Sequence, residues 1–186
     1  MRIAVYCSSS LGIDQKFVDF SFELGAAIAE MGAELVSGGG KVSSMGAISR
    51  GARSKGGKTI GIIPQKLLEI EFADHESDEL VVVDSMRTRK GKIEDLADAF
   101  IAIPGGLGTL EELIEIWVGR YLGFHNKPVV ILDPFNVYAK LHELVVDLES
   151  QKFVKPGMRD LVYWASSIDE ALHHIKENSD VDNYEK

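Results

Sequence analysis

Short apolar runs alternate along this chain with longer stretches in which apolar positions return every three or four residues. A run such as Ala99-Phe100-Ile101-Ala102-Ile103 fits a strand buried on both faces, and the slower repeat fits a helix with one buried side. Strands are expected on this basis over residues 3–7, 33–37, 59–63, 80–83, 99–103, 128–132 and 161–164. Helices are expected over 14–31, 45–53, 86–97, 109–122, 135–148 and from about 168 onward. In the first of these, Phe17, Phe20, Leu24, Ala27, Ile28 and Met31 share one face, Asp14 stands at the capping position and Gly32 ends the helix.

Repeated strand–helix units imply parallel pairing, because each crossover helix returns the chain to the same end of the sheet. The expected fold is therefore α/β: a single-domain, Rossmann-like, doubly wound and mostly parallel sheet with helices on both faces. One such domain would span residues 1–178, with 179–186 an acidic tail expected to be disordered.

Composition narrows the picture. The 186 residues are 45% hydrophobic, enough for one full core. A net charge of −9 argues against nucleic acid as a partner, since that requires a basic face to displace counterions. No run of 18 apolar residues is present, and Met1-Arg2 leads directly into a strand-like segment without a secretory apolar region. A cytoplasmic protein with no membrane partner is the expectation. The single Cys7 leaves no internal disulfide and no cysteine-based zinc cage.

Ligands of doubly wound sheets sit at the carboxyl ends of the strands. Those ends read Cys7-Ser8-Ser9-Ser10, Ser37-Gly38-Gly39-Gly40, Pro64-Gln65 and Pro104-Gly105-Gly106, and three of the four offer glycines or hydroxyls to a phosphate or sugar. In the last, Gly105, Gly106 and Gly108 are expected to permit positive φ and close approach beside the unpaired N–H groups of a new helix, which makes an anion site. Thr109 followed by Glu112 also matches a capping box, and the two roles are compatible. No G-x-G-x-x-G follows the first strand, which argues against a nicotinamide cofactor. Residues 64–78 carry Glu69, Glu71, Asp74, Glu76 and Asp78 around His75, without dedicated metal-ligand spacing, and are expected to form a solvated loop. Arg87, Arg89, Lys90 and Lys92 crowd a helix start, where positive charge opposes the macrodipole. Solvation accounts for Arg87 and Lys92; anion binding is the more economical account of Arg89 and Lys90.

Three of these segments together carry a resemblance. Pro104-Gly105-Gly106-Leu107-Gly108-Thr109 with Glu112 matches the P-G-G-x-G-T-x-x-E signature of the LONELY GUY (LOG) family, cytokinin riboside 5′-monophosphate phosphoribohydrolases once labelled "possible lysine decarboxylases". Met86 with Arg89-Lys90 resembles that family's M-H-x-R-K motif, and Gly38-Gly39-Gly40 followed by Met45-Gly46 resembles its earlier glycine loop. The resemblance implies hydrolysis of the N-glycosidic bond of a nucleoside 5′-monophosphate to free base and ribose 5-phosphate, by a homodimer needing no metal or cofactor. It places the catalytic pair on Arg89 and Glu112 and further nucleotide contacts on Glu71, Lys90, Gly106, Leu107, Gly108, Thr109, Leu110 and Glu111. Ser8, Gly39, Gly40, Met86 and Gly105 complete the expected substrate site. Arg89 would assist the departing base or position the phosphate.

Arg87, Ser37, Ser43-Ser44 and Val118 depart from the family's usual His, Tyr, Gly-Leu and Thr, which leaves the preferred base open. A non-catalytic nucleotide or cofactor carrier on the same fold is the alternative function. A decarboxylase would need a Schiff-base lysine, for which Lys41 and Lys90 are the lysines near the glycine turns. Trp117, Tyr121, Leu122 and Phe124 give the helix after the signature the aromatic surface expected of a dimer interface.

Overall fold

The computed structural model describes residues 1–68 and 73–179. Its elements are β1 (Arg2–Tyr6), α1 (Gln15–Glu30), β2 (Glu34–Ser37), α2 (Ser43–Ser54), β3 (Thr59–Pro64), α3 (Gln65–Leu68), β4 (Glu79–Val83), α4 (Met86–Leu96), β5 (Ala99–Ala102), α5 (Leu107–Tyr121), β6 (Val129–Leu132), α6 (Ala139–Ser150), β7 (Tyr163–Ala165) and α7 (Ile168–Asn178). All seven strands pair in parallel in one sheet of order β4-β3-β2-β1-β5-β6-β7. The chain builds outward from β1 to β4, crosses back through α4, and lays β5 on the other side of β1, where Ala4 sits between Val36 and Phe100. That reversal of direction opens a crevice beyond the carboxyl ends of β1 and β5.

Alternate residues of each strand point to opposite faces, and each face has its own core. Ile3, Val5, Leu35 and Ile101 pack with Leu24 and Ile28 of α1, Ile48 of α2 and Ile175 of α7. Ala4, Tyr6, Val36 and Phe100 pack with Ile93 of α4, Leu113 and Trp117 of α5 and Val145 of α6. On the first face α1 and α2 meet backbone to backbone: a Cβ on Gly51 would lie 2.0 Å from the Phe22 carbonyl oxygen, and one on Gly25 would lie 2.0 Å from that of Ile48.

Several expectations are corrected. Helix α5 starts at Leu107 with Gly106 as its N-cap, so Thr109 and Glu112 lie inside the helix and do not form its capping box. Gly105, Gly106 and Gly108 are not among the positive-φ glycines, which are Gly32, Gly39, Gly56, Gly123 and Gly157. Helix α6 starts later than its apolar pattern, because the Asp133 carboxylate accepts from the N–H groups of Phe135 (3.3 Å) and Tyr138 (2.7 Å) and holds the intervening chain in a turn. Residues 64–68 and 73–78 are not simply a solvated loop. Asp74 is buried and accepts from Arg53 Nη1 at 2.8 Å, and Asp78 accepts from the N–H and hydroxyl of Thr59, bonds that hold its carboxyl below the usual carboxylate range. Glu69, Glu71 and 180–186 lie outside the described residues. Among the described residues, no helix is long and apolar enough to cross a membrane.

Candidate active site

The crevice at the sheet's reversal is a cleft of about 310 Å³. Among the described residues its lining comes from five segments: Cys7 to Ser10 at the exit of β1, Met45 of α2, Met86 and Arg89 of α4, Gly106 at the exit of β5, and Gly108, Thr109, Glu111 and Glu112 of α5. Segments far apart in sequence converge here because every β-strand delivers its exit to the same edge of the sheet.

Arg89 is the most enclosed charge in the cleft. Ser85 caps α4 by accepting from the Thr88 N–H, and the first turns of that helix then carry Arg89 inward to 5% exposure. Its Nε donates to Ile62 O and its Nη2 to Gly38 O, each at 3.0 Å. Nη1 faces Met86 Sδ at 3.7 Å and Glu112 Oε1 at 3.9 Å. The Glu112 side chain is 12% exposed, so a carboxylate and a guanidinium meet at the floor of a shielded cleft. Low solvation strengthens the field each exerts on a bound group. Cys7, beside them, is no nucleophile: burial first, and then the Glu112 charge, push its thiol up to about 12.

The glycine turn is shaped by close contacts. A Cβ on Gly105 would fall 2.2 Å from Thr109 Oγ1, so that glycine lets the turn fold down onto α5. Gly106 and Gly108 serve differently: a Cβ on either would meet no neighbouring element within 4 Å, and both line the cleft, so their hydrogens leave its floor open. Among the described residues, no side chain caps the N–H groups at the start of α5, which is an arrangement suited to an anion. The turn itself is braced from behind by Tyr138, whose hydroxyl accepts from the Gly105 N–H at 2.8 Å and donates to Ile103 O at 3.1 Å.

Of the residues named from sequence, the structure gathers Ser8, Met86, Arg89, Gly106, Gly108, Thr109, Glu111 and Glu112 around one cleft. Gly105 lines an adjoining cleft of about 300 Å³ on the far side of Ser8 and Ser10. Leu107 points outward and Leu110 packs against the core. Gly39 and Gly40 lie behind the cleft, Gly39 against Ile62 and Ile63 and Gly40 donating to Met45 Sδ at 3.2 Å. Lys90 pairs with Glu111 and, at 2.7 Å, with Glu115, and these contacts raise its pKa, so its charge is already matched within the protein. Glu71 lies outside the described residues. Sequence reasoning passed over Tyr138, which no periodicity or motif marks. Among the described residues, no three His, Cys, Asp or Glu side chains are grouped to hold a metal ion.

Comparison with known proteins follows the same segments. The family profile described as "possible lysine decarboxylase" matches residues 45–175. A cytokinin riboside 5′-monophosphate phosphoribohydrolase of Mycobacterium marinum is 42% identical over 170 residues, covering 91% of this chain and 90% of that one. The protein of that name from Oryza sativa is 36% identical over 176 residues, covering 95% and 73%. Among solved structures, the molybdenum cofactor binding protein of the phototrophic bacterium Rippkaea orientalis shares the fold with a TM-score of 0.70 and 28% identity, covering 95% of each chain. By the extent of these matches, the chain belongs to the "possible lysine decarboxylase" family, the LONELY GUY family whose signature it carries at residues 104–112.

Proposed function

We propose that this protein is an N-glycosyl hydrolase that cleaves nucleoside 5′-monophosphates, those of cytokinin ribosides or AMP, into free base and ribose 5-phosphate. The observation that carries this reading is the shielded Arg89–Glu112 pair, 3.9 Å apart at the floor of a cleft that also presents an uncapped helix start. In the reaction the C–N bond breaks with its electron pair going to the base, and water oxygen bonds to the ribose carbon. One water proton ends on the base and the other stays on the new hydroxyl. Positive charge builds on the ribose as the bond stretches, and the Glu112 carboxylate stabilises it while orienting water or a ribose hydroxyl. Arg89 holds the substrate opposite, and the start of α5 with Ser8 receives the phosphate. Binding energy from that phosphate holds the glycosidic bond in place, so the free riboside should be a far poorer substrate.

The relatives' names support hydrolysis. Lys90 speaks against decarboxylation through a Schiff base, since its two carboxylate partners favour the charged ammonium, whereas an imine-forming lysine must readily lose its proton. A carrier function has the likeness to the Rippkaea orientalis protein in its favour. Incubation with nucleotides and nucleosides separates the two. Ribose 5-phosphate released from AMP or its N6-isopentenyl form establishes the hydrolase, and binding without release from any monophosphate establishes a carrier.

The same proposal treats residues 1–178 as one catalytic unit acting in the cytoplasm as a homodimer. Trp117, expected at the interface, is instead buried and donates from Nε1 to Met158 O at 2.9 Å. The exposed apolar surface of the second half of α5 and its exit comprises Ile114, Val118, Leu122 and Phe124, and this is the face assigned to the second copy.

A further inference from the structure

The residue run 38–40 follows β2 like a phosphate-binding glycine loop, yet Gly38 does not line the cleft. What it touches is Arg89. Its carbonyl oxygen accepts from Nη2 at 3.0 Å, and a Cβ built on it would fall 1.8 Å from Nη2 and 2.9 Å from Cζ. Both distances are far inside van der Waals contact, and the obstructing atoms are the planar end of a side chain only 5% exposed and tied by hydrogen bonds to Gly38 O and Ile62 O. Gly38 is not among the positive-φ residues, so backbone conformation does not explain a glycine there. Close approach does.

We infer that Gly38 is a positioning residue for Arg89: with Ile62 O it forms a socket that fixes the plane of the guanidinium and turns Nη1 toward Glu112 and the bound substrate. Two carbonyls from adjacent strands, Ile62 O within β3 and Gly38 O just past the end of β2, take Nε and Nη2 from one edge of the fork. A fork held on one edge keeps its other donors at a set angle, and that preorganisation is what an electrostatic catalyst requires. A side chain at position 38 expels the guanidinium from this socket, and Arg89 is the lining residue of the cleft that has to move, with Met45 Cε next in line at 3.1 Å from the added Cβ. This inference rests on the proposed hydrolase reading for its activity readout, and on geometry alone for its spectroscopic one.

The experiment is a double-mutant cycle of Gly38→Ala and Arg89→Ala, read by nucleotide hydrolysis, together with the Arg89 Nε–H signal in 15N-labelled protein. Gly38→Ala should lower kcat/KM by roughly 100-fold, the scale of losing one preorganised donor, and should change whichever of kcat and KM Arg89→Ala changes. In the Arg89→Ala background the space is vacated, so adding Gly38→Ala should change activity by less than about threefold. Buried and bonded to Ile62 O, the Arg89 Nε–H of wild type should give a slowly exchanging signal that is absent in Arg89→Ala and is lost or shifted in Gly38→Ala. If Gly38→Ala alone fails to fold while the double variant folds, the clash with Arg89 is established directly. Wild-type activity and an unchanged Nε–H signal in Gly38→Ala would overturn the inference. So would effects that multiply fully in the double variant, or a double variant that also fails to fold. If wild type releases no ribose 5-phosphate, the hydrolase reading fails, and the Nε–H signal still decides the role of Gly38.

Discussion

A carboxylate 3.9 Å from a guanidinium and almost out of water could simply be one half of a structural ion pair. The two roles of Glu112 separate on substitution. Gln has nearly the same shape, and Glu112 sits within α5 rather than at its cap, so Glu112→Gln should leave the melting temperature close to wild type. Turnover should fall by roughly 100-fold or more, because an amide supplies no negative charge to the developing ribosyl cation. Near-normal turnover in the folded variant would remove Glu112 from the mechanism. A different residue sets a pH limit on the fold. His125 is buried with Nε2 donating to Ile116 O at 3.0 Å, and burial lowers its pKa below the ordinary 6.5; His174, against Tyr163, is lowered in the same way. Each is held neutral when folded and takes a proton more readily when unfolded, so stability present above pH 6.5 is lost as pH falls below it. The lowered carboxylates Glu34, Asp78, Asp84 and Glu170 act in the same direction only nearer their ordinary values of 3.8 to 4.5. Urea midpoints measured from pH 7 to 5 should therefore decline, and decline less in His125→Gln; a flat profile in wild type would contradict this.

At the scale of elements, the parts most legible in the sequence are those whose neighbours are all apolar. The strand cores around Ile3, Val36, Ile60, Phe100 and Ile131 are enclosed by other strands and helices, so their sequences carry little besides hydrophobicity. Helix starts are less legible, because they depend on single polar contacts. The Asp133 turn delays α6, and α5 begins at an uncapped Gly106 that displays no side-chain signal. The site divides along the same line. The motifs at 86–90 and 104–112 were visible, whereas the role of Gly38 against Arg89 and of Tyr138 against Gly105 requires knowing which strand exits are neighbours. The α1–α2 contact is another case that local pattern hides. Gly51→Ala, harmless in an isolated helix, should destabilise the protein by about 1–3 kcal/mol through overpacking against the Phe22 carbonyl, a loss readable by chemical denaturation. Unchanged stability would mean the two helices separate without cost.

For the whole molecule, the distribution of apolar surface points to association. Val118 and Leu122 project from α5, and a cleft of about 130 Å³ between Ile114, Val118, Val145 and Leu148 is walled by apolar side chains. Sedimentation at micromolar concentration should give twice the chain mass of 20.4 kDa for wild type and a single chain mass for Val118→Asp with Leu122→Asp. A single chain mass for wild type would remove the dimer.

The order of strands in the sheet also bears on how the chain is made. β1 emerges first, yet its partner on one side, β5, is encoded nearly a hundred residues later, with Ile3 waiting for Ala99 and Tyr6 for Ala102. Any half-sheet β4-β3-β2-β1 formed during synthesis before β5 is available has its Ile3-Ala4-Val5 edge open, an apolar strand with unpaired backbone groups. A fragment spanning 1–97 should accordingly aggregate where the full chain does not, and a separately supplied peptide spanning 98–122 should suppress that aggregation by occupying the vacant edge. If the fragment remains monomeric at the same concentration, the open edge is no hazard to the nascent chain.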